Sequence, residues 1–243
     1  MRRLFQAEKI DESKLWTLLA ALLALFISLP IAHGLGVLHF HRLALVGLLI
    51  FAAYSVSGQR RVLRIAMALL LPAIGGQIWA TSVTPTPTLI LITFILSVAF
   101  FAFIIMVISA SVFRSGAITA DRIAGAICVF LLVGLFWSML YGAVSIYNPE
   151  AFRLPGGTPS LWQNGGLAEL DFIYFSFVTL TTLGFGDISP VSPLARTLTW
   201  MQAVFGQLYI AILLARMVSL HVAQSRQNPG GDASQEPADP PSS

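Results

Sequence analysis

The sequence has 243 residues, of which 56% are hydrophobic and 10% charged, and its mean hydropathy is +0.81. Soluble domains carry about 25% charged residues, so this composition excludes an ordinary soluble protein and favours one embedded in lipid. The formal net charge of +3 comes from basic residues that are spread between apolar segments rather than gathered with aromatic ones, which argues against nucleic-acid binding.

Six apolar segments are predicted to cross a membrane as helices. The hydrocarbon core of a bilayer, about 30 Å thick, is crossed by roughly 20 apolar residues in a helix. In chain order the predicted spans are residues 15–36, 43–57, 65–80, 88–113, 123–147 and 194–221. The sequence therefore predicts an all-α membrane protein with six transmembrane helices.

The first four predicted spans occupy residues 15–113 and follow a short N-terminal segment, residues 1–14. Arg60, Arg61 and Arg64 lie between the second and third spans, where we predict a basic turn. A voltage sensor needs basic residues repeated along a membrane helix, whereas the fourth span contains no charged residue. These four helices are therefore predicted to form a region without a charged sensor helix.

Basic residues in the loops predict the orientation of the chain. Cytoplasmic loops of membrane proteins are enriched in Lys and Arg. One side would hold Arg2, Arg3, Lys9, Lys14, Arg60, Arg61, Arg64, Arg114, Arg122 and Arg226, and the other only Arg42, Arg153 and Arg196. We therefore expect a multi-pass protein of the plasma membrane with both termini in the cytoplasm. Residues 224–243 are rich in Pro, Gly, Ser and acidic residues, which predicts a disordered cytoplasmic tail.

The segment between the last two spans, DFIYFSFVTLTTLGFGDISP at residues 171–190, has a different pattern. Its apolar, aromatic first half is too short to cross a bilayer, and two glycines that flank one aromatic residue follow it. This pattern predicts a short re-entrant helix and then an extended loop. Non-helical backbone is tolerated at membrane depth only where protein buries it or where it lines a watery cavity. We therefore expect the loop to face water or ions.

Backbone carbonyls can replace the water around a potassium ion if successive residues turn them toward one axis. That geometry requires unusual φ angles, and Gly184 and Gly186 can adopt positive φ at little steric cost. The carbonyls of residues 182–185 would line a narrow path, with the Thr182 hydroxyl at its inner end. Asp187 would lie at the outer mouth, where a carboxylate raises the local cation concentration. The residues predicted to bind the ion are Thr182, Leu183, Gly184, Phe185 and Gly186.

The sequence TTLGFGD at residues 181–187 resembles the selectivity filter of pore-loop potassium channels. Their pattern is Thr, an aliphatic residue, Gly, Tyr or Phe, Gly and Asp, between two membrane helices. The resemblance covers residues 121–223 and departs from the commonest form at Leu183, in place of valine, and at Phe185, in place of tyrosine. It implies that residues 114–223 form a pore module of outer helix, pore helix, filter and inner helix. It also implies a homotetramer that lets K+ pass passively.

The resemblance assigns roles to residues outside the filter. Tyr174 occupies the position that in relatives supports the filter aspartate through a hydrogen bond. Gly206 lies nineteen residues beyond Asp187, where the inner helix of the family has a glycine on which it can bend. A site of close helix packing is the alternative for Gly206. Helical periodicity then predicts a set of cavity-lining residues: Gln207, Ile210, Leu214 and Val218.

The sequence is also compatible with two other functions. A weakly selective cation channel would result if Leu183 and Phe185 loosened the filter, and a membrane interaction subunit would not conduct at all. No paired acid, base or nucleophile indicates an enzyme. We expect no cofactor, only K+ as the transported ion, and we expect other copies of the chain and membrane lipid as partners. The sequence does not indicate the gating stimulus.

Overall fold

The computed structural model describes residues 13–35, 47, 50, 60–82, 87–112, 120–154 and 167–227. Within this part the protein is mostly helical, as predicted. The described helices are α1 (Ser13–Gly34), α2 (Arg60–Ser82), α3 (Pro87–Val112), α4 (Ala120–Tyr147), α5 (Leu167–Leu180) and α6 (Pro193–Gln227). Two short strands, β1 (Phe152–Arg153) and β2 (Ser189–Pro190), pair antiparallel.

Four of the described helices are long and apolar enough to cross a membrane. The apolar stretches are Leu15–Ala32 in α1, Leu91–Ala110 in α3, Asp121–Tyr147 in α4 and Pro193–Ser219 in α6. They match the first, fourth, fifth and sixth predicted spans. The third predicted span falls within α2, which is not one of the four, and the second lies outside the described residues except for residues 47 and 50.

Two details of the sequence interpretation need correction. Arg60, Arg61 and Arg64 do not form a basic turn, because α2 begins at Arg60 and includes all three. Arginine is a good helix former, and no Gly or Pro interrupts the chain between Arg60 and Pro72. Helix α6 also continues four residues beyond the predicted boundary at 223, to Gln227. The next helix-breaking residue is Pro229, two residues beyond the end of α6.

Helix α4 lies at the centre of the packing and contacts α1, α3, α5 and α6. Glycines on α4 allow two of these close approaches. A Cβ atom at Gly134 would overlap the ring of Phe177 from α5, and one at Gly142 would lie 2.6 Å from Cε1 of Phe94 in α3. Small residues are a common means of close helix packing in membranes. Helices α4 and α5 are therefore held together by the Phe177 ring of α5, which packs directly on the backbone of α4.

The short ribbon of β1 and β2 fixes the chain where it leaves the predicted filter. Phe152 pairs with Pro190, and the buried Phe152 ring lies 5.5 Å from Tyr141, 5.2 Å from Phe172 and 5.6 Å from Phe175 between ring centroids. Aromatic pairs at this spacing contribute about 0.5–1.5 kcal/mol each beyond the area they bury. The ribbon is thereby anchored to α4 and α5.

Helix α6 starts directly after the ribbon with a favourable cap. The Ala195 amide donates to Ser192 Oγ at 3.2 Å, as expected of a serine at the N-cap, and Pro193 holds the first helical position. Arg196 Nε donates to the Pro190 carbonyl at 3.3 Å. These contacts set where the inner helix begins relative to the loop that precedes it.

Candidate functional site

The C-terminal end of α5 passes directly into the predicted filter. The Leu183 amide donates to the Val178 carbonyl at 2.9 Å, and the Thr182 amide donates to the Thr179 carbonyl at 3.0 Å. This nested pair is the Schellman motif, which ends a helix at a residue with left-handed backbone. Glycine usually takes that position, but here Thr182 does, with φ of 59°. One residue therefore ends the helix and begins the filter.

Positive φ is rare for a β-branched residue such as Thr182 and costs about 1–3 kcal/mol. Its hydroxyl donates to the Thr181 carbonyl at 2.7 Å and accepts a hydrogen bond from Gln207 Nε2 at 2.9 Å. Together with the helix-ending bonds, these contacts offset the strain. The sequence analysis did not anticipate this conformation, because threonine gives no signal for positive φ.

The sign of φ alternates along the filter. It is positive at Thr182, Gly184 and Gly186, at 59°, 61° and 80°, and it is not positive at Leu183 and Phe185 between them. An extended strand turns successive carbonyls to opposite sides, whereas a reversal of φ at every second residue brings them toward one side. The positive φ expected at the two glycines is present, and Thr182 extends the pattern by one residue.

The filter is open on the surface of a single chain. Leu183 is 59% exposed and Phe185 is 64% exposed, and no heavy atom outside the adjacent residues lies within 4 Å of a Cβ built at Gly184 or Gly186. A side chain at either glycine would thus be opposed by the backbone conformation rather than by a steric overlap within the chain. The arrangement exposes the backbone along the filter while its inner end stays bonded to α5.

The outer end of the filter brings three predicted features together. The Tyr174 hydroxyl is hydrogen-bonded to the Asp187 carboxylate. The Tyr174 ring stacks on that of Phe185, with ring centroids 6.4 Å apart and planes 3° from parallel. Ser189 Oγ donates to the Gly186 carbonyl at 3.1 Å, and the next residue after Asp187, Ile188, is buried. Tyr174 therefore contacts both the aromatic residue of the filter and the carboxylate beyond it.

A second carboxylate lies close to this mouth. Partial burial of Asp171 and, as a second cause, the neighbouring charge of Asp187 raise the pKa of the Asp171 carboxyl above its ordinary value. Asp171 lies in the first turns of α5, where a negative charge also meets the positive end of the helix dipole. Asp171 and Asp187 thus place two carboxyl groups near the mouth.

A buried polar network lies behind the filter and joins three helices. Gln202 of α6 is fully buried; its Oε1 accepts from the Tyr141 hydroxyl of α4, and its Nε2 donates to Ser176 O at 3.0 Å and Ser176 Oγ at 2.8 Å in α5. Ser176 Oγ in turn donates to the Gly134 carbonyl at 2.6 Å. Both polar atoms of the buried amide are satisfied, which is the condition under which such a network rigidifies a structure.

The sequence analysis missed Gln202 and Ser176. The available signal was a polar amide within the last apolar span, since polar residues inside membrane helices are costly unless they have partners. Gln202 stands four residues before Gly206 in WMQAVFG.

On the inner helix, Gly206 lies against the end of α5. A Cβ built at Gly206 would overlap the Leu180 carbonyl, so no other residue fits here without movement. This contact is the close packing that the sequence left as an alternative, and α6 is continuous through Gly206. Bending at this residue stays a prediction. The predicted cavity-lining residues, Gln207, Ile210, Leu214 and Val218, are all exposed in the single chain.

Known proteins share this region. Residues 125–222, from α4 through most of α6, match the family model described as "Ion channel". A stretch of 49 residues is 43% identical to a protein named two pore potassium channel c, from Oryza sativa subsp. japonica. That stretch is 20% of this chain and 11% of the relative, so the alignment spans about a tenth of the relative's length. No solved structure gives a significant match. The first two findings confirm the resemblance to pore-loop potassium channels.

Proposed function

From the match of residues 125–222 to the "Ion channel" family model, we propose that this chain is one subunit of a potassium-selective channel. Four copies would surround one pore in the plasma membrane, and K+ would move passively between adjacent filter sites. The function requires no catalysis and no cofactor. The potassium channel named among the relatives supports this choice of ion.

The observation that carries the proposal is the alternation of φ at residues 182–186. A turn that merely connects two helices does not require three left-handed residues at alternate positions, one of them a strained threonine. Carbonyls brought toward one side can replace the hydration shell of a cation, and the Thr182 hydroxyl adds one further oxygen. Asp187 at the outer end would raise the local concentration of cations.

Assembly as a homotetramer is supported by what one chain leaves uncovered. One strand of carbonyls cannot surround an ion, since a closed ring needs several copies about an axis. In the apolar stretch Pro193–Ser219 of α6 only 11% of the residues are buried, against 61% in Asp121–Tyr147 of α4. The inner helix and the filter are therefore the surfaces that further copies would cover.

The proposed arrangement in the membrane extends the described fold. Six spans, with α5 re-entrant between the last two, would place both termini in the cytoplasm. A cytoplasmic segment of residues 1–14 would precede the four-helix region of residues 15–113. The pore module, predicted as residues 114–223, would end with α6 at Gln227 and lead into a cytoplasmic tail. Helix α5 is apolar yet shorter than the four candidate spans, which suits a re-entrant segment.

Ion flux into liposomes tests the proposal. Purified protein is reconstituted, and flux is measured under a potassium gradient and then under a sodium gradient. Gly184→Ala should abolish potassium flux, because a Cβ opposes the φ of 61° at this residue. Gly75→Ala is the matched control, since Gly75 is helical without positive φ and a Cβ there has no neighbour within 4 Å.

Potassium flux without sodium flux, lost in Gly184→Ala and kept in Gly75→Ala, is the expected result. Equal flux of both ions would replace the proposal with the weakly selective cation channel. Absence of flux from every preparation, with the protein folded and tetrameric, would leave the non-conducting subunit as the better account.

A further inference from the structure

Gln207 is the only polar residue in the predicted cavity-lining set, and it reaches the filter. Its Nε2 donates to Thr182 Oγ1 at 2.9 Å, which joins α6 to the first filter residue within one chain. The contact is possible because the preceding residue, Gly206, lets the backbone of α6 lie directly against the Leu180 carbonyl at the end of α5. Helix packing therefore places the Gln207 backbone beside the first residue of the predicted filter.

The hydrogen bond determines which way the Thr182 hydroxyl faces. A threonine hydroxyl has one proton and two acceptor lone pairs. The proton is donated to the Thr181 carbonyl at 2.7 Å, and Gln207 occupies one lone pair. One lone pair remains for a cation at the inner end of the filter. The positive end of the amide N–H dipole also points toward that end and opposes a nearby cation.

We propose that Gln207 is a specificity-determining residue that weakens cation binding at the innermost filter position by donating to the Thr182 hydroxyl. The inference rests on the proposed function, because it concerns an ion held by Thr182. Four copies would place four such donors around the inner end of the pore. An ion that arrives there is bound less tightly and leaves for the cavity more readily. Binding of a divalent cation is weakened most, since its charge, and with it the repulsion by the amide N–H dipole, is twice that of K+.

Barium binding to the purified tetramer in detergent tests the inference. Ba²⁺ is the probe because it is a divalent cation close to K+ in size. Isothermal titration calorimetry gives its affinity without requiring the pore to be open. The leucine side chain of Gln207→Leu has a volume similar to that of glutamine but no hydrogen-bond donor. Ba²⁺ should therefore bind to this variant about tenfold more tightly than to the unaltered chain. Leu208→Met, a change at the adjacent residue outside the hydrogen-bonded pair, should leave the affinity within about twofold.

A double-mutant cycle separates this effect from a general change in the cavity. In Thr182→Val, which removes the hydroxyl and keeps the branched shape, a further Gln207→Leu change should alter Ba²⁺ affinity by less than about twofold. Thr182→Ser, which restores a hydroxyl, should restore the effect of Gln207→Leu. Potassium flux is measured after the same preparations are reconstituted in liposomes, so that a failure of the proposed function is distinguished from a failure of the Gln207 proposal.

Unchanged Ba²⁺ affinity in Gln207→Leu, in a protein that conducts potassium, would overturn the inference and leave the proposed function intact. An equally large effect in the Thr182→Val background would also overturn it, since the hydroxyl would then not mediate the effect. Absence of both potassium flux and Ba²⁺ binding from the unaltered chain would overturn the proposed function itself.

Discussion

Thr182 and Gly206 show how individual residues set the geometry at the inner end of the filter. Thr182 accepts a backbone conformation that suits glycine, and the hydrogen bonds of its amide and hydroxyl hold it there. Gly206 provides the opposite case, because its lack of a side chain lets α6 lie against the Leu180 carbonyl. Gln207, the residue after Gly206, is hydrogen-bonded to Thr182. The packing of α6 at Gly206 and the conformation of Thr182 are therefore linked through this hydrogen bond.

Gly206→Ala tests whether packing at this position matters for the fold. The added Cβ must displace the Leu180 carbonyl, and overpacking of this kind costs about 1–3 kcal/mol. We expect a lower thermal unfolding temperature of the purified protein and a loss of potassium flux. Gly75→Ala, whose Cβ has free space, should keep the unfolding temperature or raise it. If Gly206→Ala unfolds at the original temperature and changes only channel opening, bending rather than packing is the role of this glycine.

Helix α5 is held between α4 and α6 by apolar and polar contacts together. Phe177 packs on Gly134 of α4, while the Gln202 amide links Ser176 of α5 to Tyr141 of α4. Apolar packing alone allows small sliding movements, whereas a satisfied buried network specifies one position. The position of α5 in turn fixes where the filter begins.

Removal of the buried amide in Gln202→Leu should destabilise the protein more than Tyr141→Phe does. The leucine removes the hydrogen bonds that the amide makes with the Tyr141 hydroxyl, Ser176 O and Ser176 Oγ, and each buried group left unsatisfied costs about 1–3 kcal/mol. The phenylalanine removes only one donor from Gln202 Oε1. Thermal unfolding of the purified variants measures both effects. Equal unfolding temperatures for Gln202→Leu and the unaltered chain would show that the network adds no stability.

The two carboxylates at the outer mouth predict a dependence of conduction on external pH. The pKa of Asp171 is raised by partial burial and by Asp187, so its carboxyl gains a proton at a higher pH than an ordinary aspartate as the solution is acidified. Protonation removes negative charge from the mouth and should lower inward potassium current. In Asp171→Asn the current at neutral pH should be lower, and its further fall on mild acidification smaller. An unchanged acid response in that variant would assign the effect to another group.

Much of this architecture could be predicted from the sequence, because hydropathy and the filter motif are local signals. Four predicted spans and the positive φ of Gly184 and Gly186 follow from residue type alone. The left-handed Thr182 could not be predicted, since the Schellman bonds and Gln207 stabilise it against its own preference. The buried Gln202 network depends on hydrogen bonds to Tyr141, 61 positions away in the chain, and to Ser176, 26 positions away. No local pattern reveals such contacts.

The exposed backbone of the predicted filter leads us to expect that K+ stabilises the proposed assembly. A ring of carbonyls from four chains repels itself when empty, and a bound K+ joins the four copies through their shared ligands. A ligand that binds only the folded assembly stabilises it by about 2.7 kcal/mol at a concentration one hundred times its dissociation constant. The proposed tetramer, about four times the 26.3 kDa mass of one chain, should therefore dissociate at a higher temperature in potassium than in sodium.

Size-exclusion chromatography with light scattering after heating measures this difference. In Gly184→Ala the backbone can no longer present the carbonyls toward one side, so the tetramer should dissociate at the same temperature in both ions. Gly75→Ala should keep the difference, because its Cβ lies in free space away from the filter. An equal dissociation temperature of the unaltered tetramer in potassium and in sodium would mean that the filter does not bind K+ selectively. A mass of one chain at every temperature would argue against a shared ring of carbonyls altogether.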